Sequence, residues 1–265
     1  MAYGAYRILT GAGNGPVILH VPHSSWTIPP DVRAGLLLTD EELDAELRLL
    51  TDANTDRIAQ GAATAAHTTP WSFVNQLSRL VVDPERLPDE REEMLHVGMG
   101  AVYTRTSHGR PLRAPDAAAE QSLLTTWYEP YRQAMTGLAD ARLDAVGRVT
   151  IIDVHSYPCT RLPYERGGDK RPAVCLGTDS FHTPDWLLIA ACDAFHDYGT
   201  LATDSPFAGC YVPLVHYRSD PRVTAIMVEL RRDTYMTEPG GEPTEGIEAA
   251  VASLASLIDR VTVHG

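Results

Sequence analysis

At 265 residues with 44% hydrophobic side chains, the chain can bury the core of one large α/β domain, and its composition excludes general disorder. Lys and Arg number 22 against 35 Asp and Glu, a net charge of −13. That balance argues against nucleic acid or an anionic membrane as partner, while a small anionic substrate can still be held by local arginines.

The glycine-rich start, residues 1–15, lacks the apolar stretch of a signal peptide. The longest apolar run, Trp186–Cys192, is far too short to span a bilayer. Cys159, Cys175, Cys192 and Cys210 form no C-x-x-C pair and read as reduced thiols, so a cytoplasmic protein is expected.

In chain order, residues 17–22 predict a strand. Asp40–Ala66 predicts one or two helices, with Leu43, Leu47, Leu50 and Ile58 near helical spacing and Thr39 as N-cap. A strand is expected within Val74–Val82, closing on Asp83-Pro84. Residues 84–116, rich in Pro, Arg, Glu and Gly, read as a long surface excursion of the kind that carries binding residues. Then follow a helix over Ala117–Leu143, a central strand over Val149–Val154, a loop over Cys159–Arg171 and a short strand over Ala173–Leu176. Trp186–Tyr198 predicts a helix, Thr224–Leu230 a strand and Glu245–Val261 a closing helix. This alternation predicts a single α/β domain over residues 1–265, a three-layer sandwich around a mostly parallel mixed sheet.

Two apolar runs end on a histidine followed by serine: Val17-Ile18-Leu19-His20-Val21-Pro22-His23-Ser24-Ser25 and Val149-Thr150-Ile151-Ile152-Asp153-Val154-His155-Ser156. Runs of this kind read as buried parallel strands that deliver a polar group at their carboxyl ends, where open α/β sheets place their sites. Two imidazoles delivered this way point to a hydrolytic zinc site, which needs three protein ligands and one open position. His23 and His155 are two candidates. The third comes from Asp52 or Asp56, four apart and on one face if the segment is helical, and the sequence does not choose between them. Nickel, cobalt or iron could occupy the same donor set.

Glu229, a lone carboxylate in the apolar strand Ala225-Ile226-Met227-Val228-Glu229-Leu230, is the candidate base. The competing reading is a plain salt bridge to Arg231 or Arg232. Ser24 and Ser156 as nucleophiles are the weaker idea, because no G-x-S-x-G elbow is present. His20 is left without a role, and Asp153 is at most a supporting group.

Several segments together resemble the N-formylglutamate amidohydrolase (deformylase) family. Val21-Pro22-His23-Ser24-Ser25 resembles its P-H-S-G opening, and Asp52-Ala53-Asn54-Thr55-Asp56 its D-x-x-x-D segment. Ser78-Arg79-Leu80-Val81-Val82-Asp83, followed by Arg86, resembles its S-R-x-V-x-D strand with a following arginine. Asp153-Val154-His155-Ser156 resembles D-x-H-S, Leu176-Gly177-Thr178-Asp179 the L-G-T segment, and Phe207-Ala208-Gly209-Cys210-Tyr211 the glycine-tyrosine turn. Val228-Glu229-Leu230-Arg231 resembles the closing Q-x-E strand.

The resemblance implies a fold similar to zinc carboxypeptidases and aminoacylases, and zinc-dependent hydrolysis of an N-formyl or other N-acyl amino acid such as N-formylglutamate. It implies His23, His155 and an aspartate of the 52–56 segment as zinc ligands and Glu229 as base. Arg79 and Arg86 are implied to hold substrate carboxylates, with Ser24 and Tyr211 beside them. The alternatives are a related acylase or peptidase on another N-acyl amino acid or small peptide, or an inactive binder of a small acidic ligand. The chain departs from the family pattern at Ser25 for glycine, Glu85 for the asparagine of D-x-N-R, Glu129 and Arg132 for the histidines of Y-H-P-Y-H, and Ala173 for an acidic residue.

Overall fold

The computed structural model describes residues 4–165 and 170–264; part of the expected Cys159–Arg171 loop, residues 166–169, lies outside the described residues. The strands are β1 (Tyr6–Leu9), β2 (Val17–Val21), β3 (Trp71–Asn75), β4 (Val149–Tyr157), β5 (Val174–Gly177), β6 (Leu201–Thr203) and β7 (Val223–Arg231). They form one sheet in the order β1-β3-β2-β4-β7-β5-β6. β3, β2, β4 and β7 run parallel. β1 and β5 pair antiparallel with β3 and β7, and β6 runs parallel to β5. The expected mostly parallel mixed sheet is present.

The helices are α1 (Pro30–Ala34), α2 (Asp40–Leu50), α3 (Thr55–Ala65), α4 (Ala117–Leu123), α5 (Glu129–Val146), α6 (Asp185–Ala194) and α7 (Gly246–Val263). A π-type turn over Leu124–Tyr128 joins α4 to α5. Thr39 caps α2 as expected: its side chain accepts from Glu42 N–H while the Glu42 carboxylate accepts from Thr39 N–H, a capping box. Side chains alternate between the two faces of each strand. Leu19, Ile152, Val154, Ile226 and Val228 pack with residues of α3, α6 and α7. Ile18, Phe73, Ile151 and Ala225 pack against Tyr131, Met135 and Leu138 of α5. Helices thus cover both faces, the three-layer arrangement.

On the α5 face the strands change character along their length. On the same side, Ile18 gives way to His20, Ile151 to Asp153 and His155, and Ala225, through Met227, to Glu229. The apolar half of each strand anchors the sheet, and the carboxyl half carries the chemistry.

Two expectations need correction. The strand expected within Val74–Val82 lies earlier, at Trp71–Asn75. Leu77, Leu80, Val81 and Val82 are buried, but in a looped segment whose Ser78 and Asp83 N–H groups bond Thr27 and Ala101 carbonyls. Their apolar character reflects burial rather than pleating. The 84–116 segment is also more than a surface excursion, because Met99, Tyr103 and Leu112 pack with Leu43 and Leu50 of α2 in a cluster of their own.

Candidate active site

Strand register assembles the site. β2 and β4 set His20 opposite Asp153, and β4 and β7 set His155 opposite Glu229. His23 follows the end of β2, and its carbonyl accepts from Asp52 N–H at 3.0 Å. Asp52 lies between α2 and α3, where Asn54 takes a left-handed conformation (φ 69°) that asparagine tolerates.

Asp52 therefore shares no helical face with Asp56. Asp56 is exposed in the first turn of α3, where a carboxylate complements the helix dipole, and of the two candidates only Asp52 reaches the histidines. Ser24 is buried beside His23 but is not among the residues lining the cleft. His23, Asp52, Arg79, Arg86, His155, Tyr211 and Glu229 all line one cleft of roughly 300 Å³.

His23 Nδ1, His155 Nδ1 and Asp52 Oδ2 form a triangle with edges of 3.3, 3.1 and 3.6 Å. The outer nitrogens face carboxylates. His23 Nε2 is 2.9 Å from Asp83 Oδ1, and His155 Nε2 is 3.1 Å from both Asp153 Oδ2 and Glu85 Oε2. Neutral imidazoles would donate those Nε2 protons outward, leaving both Nδ1 lone pairs and a carboxylate oxygen aimed at one point. Three converging lone pairs need a cation between them. Ligands at about 2.0–2.2 Å from a tetrahedral zinc stand about 3.3–3.5 Å apart, so the donor types and the edges fit such an ion.

The surroundings of the triangle are anionic. Burial alone would lower the proton affinity of His155, but Asp153 and Glu85 outweigh it and raise its pKa well above the usual histidine value. Burial would raise Asp52; hydrogen bonds from His155 and His23 and the charge of Arg232 outweigh it and hold the carboxyl far below the usual range. Arg232 fixes the other Asp52 oxygen, Oδ1, at 2.9 Å and is itself tied to Ser156. Protonation of the imidazoles competes with a metal for these lone pairs, so metal binding there would release protons.

Glu229 makes no salt bridge to its neighbours. Arg231 pairs with Asp233 and Arg232 with Asp52. Glu229 is 8% exposed, and its Oε2 has no hydrogen-bond partner among the described residues. Burial pushes its pKa up, against the nearby His155, to about 7. A carboxyl poised there can take and return a proton near neutrality.

Arg79 is braced by Asp83 Oδ2 at 2.8 Å and by the Tyr103 hydroxyl at 3.1 Å. Arg86 Nε is 3.7 Å from the same Asp83 oxygen, an ion-pair distance, and makes no hydrogen bond among the described residues. The sequence reading assigned no supporting role to Asp83, Glu85 or Arg232, whereas Asp153 takes the supporting position that was the most expected of it. It also left His20 aside, although a histidine inside an uninterrupted apolar run was itself a signal that a polar partner waits there.

Fold and cleft together define an α/β protein whose buried His23, Asp52 and His155 could hold a metal ion, and the family it matches is one of amidohydrolases. The N-formylglutamate amidohydrolase family model matches residues 15–236, and the chain belongs to this family. The crystal structure of N-formylglutamate amidohydrolase from Ralstonia eutropha JMP134 is similar to it, with 21% identity and a TM-score of 0.80, over 97% of this chain and 96% of that one. The gene product Atu2144 of Agrobacterium tumefaciens is similar at 19% identity and a TM-score of 0.69, over 96% and 93% of the two chains. At these identities both likenesses establish the fold. No curated protein matches the sequence significantly.

Proposed function

We propose that this protein is a zinc-dependent hydrolase of N-formyl amino acids, with N-formylglutamate as the reference substrate. The observation that carries this reading is the convergence of His23 Nδ1, His155 Nδ1 and Asp52 Oδ2 beside the unpartnered Glu229 Oε2. When bound by those three residues, zinc supplies an acidified water and polarises the acyl carbonyl.

The protein's own groups do the rest. Glu229 takes a proton from the attacking water. It returns that proton to the amide nitrogen as the carbon–nitrogen bond breaks, giving formate and the free amino acid. Arg79, held by Asp83 and Tyr103, faces the developing negative charge on the carbonyl oxygen. Arg86 offers its guanidinium to the substrate carboxylate, with Tyr211 lining the same cleft.

The test is formate release from N-formylglutamate and a panel of N-formyl and N-acetyl amino acids, on protein of known metal content. Chelator-sensitive formate release supports the proposal, and the panel identifies the preferred acyl acceptor. Zinc-loaded protein inactive on the whole panel would refute the hydrolase reading and favour a small-ligand binder.

A further inference from the structure

The two candidate ligand histidines are braced differently. His23 leans on Asp83, whose second oxygen is held by Arg79 and Tyr103. His155 leans on Asp153, and what holds Asp153 is a buried histidine that the proposed reaction does not use.

His20 is the penultimate residue of β2 and is fully buried. Its Nδ1 lies 2.8 Å from Asp153 Oδ1, and its Nε2 lies 2.6 Å from the Tyr131 hydroxyl. The Tyr211 ring covers it, with centroids 4.4 Å apart. Protons can be arranged along this chain in one consistent direction. Tyr131 is a buried phenol that keeps its proton, so its O–H donates to His20 Nε2. His20 is then the Nδ1–H tautomer and donates to Asp153 Oδ1. Asp153 Oδ2 remains free to accept from His155 Nε2 at 3.1 Å and from Tyr211 N–H at 3.2 Å. That in turn leaves the His155 Nδ1 lone pair facing His23 and Asp52.

Glu85 competes for the same His155 proton, at 3.1 Å, and its Oε1 is 3.5 Å from His20 Nδ1. Two carboxylates crowd one imidazole edge, and the His20 N–H between them favours Asp153 by the shorter contact. Like charges so close raise each other's energy unless donors separate them.

We propose that His20 and Tyr131 are positioning residues that orient Asp153, and through it fix the tautomer and ring angle of His155 for metal binding. This inference rests on the metal reading of the triangle. Outer partners of a metal-binding histidine commonly change metal affinity by about 10–100-fold when removed.

The test measures zinc affinity by competition with a chromophoric chelator, and the visible spectrum of the cobalt-loaded protein. The proteins are wild type, His20→Leu, His20→Asn and Tyr131→Phe. His20→Leu removes the donor to Asp153 and should weaken zinc binding by about 10–100-fold with an altered cobalt spectrum. His20→Asn keeps an N–H near the Nδ1 position and should recover most of the affinity. Tyr131→Phe removes a single hydroxyl and should weaken binding by a smaller factor.

If His20→Leu does not fold, the other two variants decide. Wild-type affinity and spectrum in Tyr131→Phe, or His20→Asn binding as weakly as a protein without the donor, would overturn the proposal, as would a His20→Leu protein that merely melts earlier. A wild type that binds neither zinc nor cobalt would overturn the metal reading and this inference together.

Discussion

Glu229 is the residue on which the proposed chemistry turns. Glu229→Gln keeps size and shape and removes the proton acceptor, so metal content should stay and turnover should fall by about 10²–10⁴-fold. Stability gives an independent check in the metal-free protein. A carboxyl raised from 4.5 to about 7 by folding contributes stability that is fully present below pH 4.5 and is lost as pH rises through 7. Glutamine does not titrate. The Tm of Glu229→Gln relative to wild type should therefore climb between pH 4.5 and 7.5 and then level. A flat difference across that range would mean that Glu229 is not held protonated by burial. The aspartate pair separates as sharply. Asp52→Asn should abolish tight metal binding, whereas Asp56→Asn should leave metal and turnover intact and cost about 0.3–1 kcal/mol through the α3 dipole, read from denaturant melts.

At the scale of elements, the site depends on how β2 ends and how α2 passes into α3. Asn54 makes that passage with a left-handed backbone. Asn54→Ala should cost about 1 kcal/mol and weaken metal binding, because the turn that presents Asp52 becomes strained, whereas Asn54→Gly should keep both. Gly177 is a second such point. A Cβ there would stand 2.3 Å from the Gly209 carbonyl oxygen, so the 207–211 rim of the cleft closes over β5 only with glycine beneath it. Gly177→Ala should raise KM more than it lowers kcat, since Tyr211 and the rim move while His23, Asp52 and His155 do not.

Much of this was legible in the chain. The β-branched run Val149–Val154 and the Thr39 cap announce their elements without tertiary help, and the histidines at the strand ends announce the site. The Val74–Val82 strand was misplaced because burial in a loop cluster and burial in a sheet use the same residues. Asp83, Glu85 and Arg232 were missed as supports because they meet His23, His155 and Asp52 across separations of 60 to 180 residues, which no local pattern encodes.

Over the whole molecule, the net charge of −13 and the cationic groups of the cleft have separate roles. The acidic surface repels anions at long range, so association with an anionic substrate should speed up with added salt, and Arg79 and Arg86 act only at contact. No helix among the described residues is long and apolar enough to cross a membrane. The central claim is that His23, His155 and Asp52 hold one divalent metal that amide hydrolysis requires. The most direct measurement is metal content paired with formate release from N-formylglutamate, before chelation, after it, and after zinc is restored. The account predicts about one zinc per chain, with formate release abolished by chelation and recovered when zinc returns. Undiminished formate release from protein proven free of metal would contradict it.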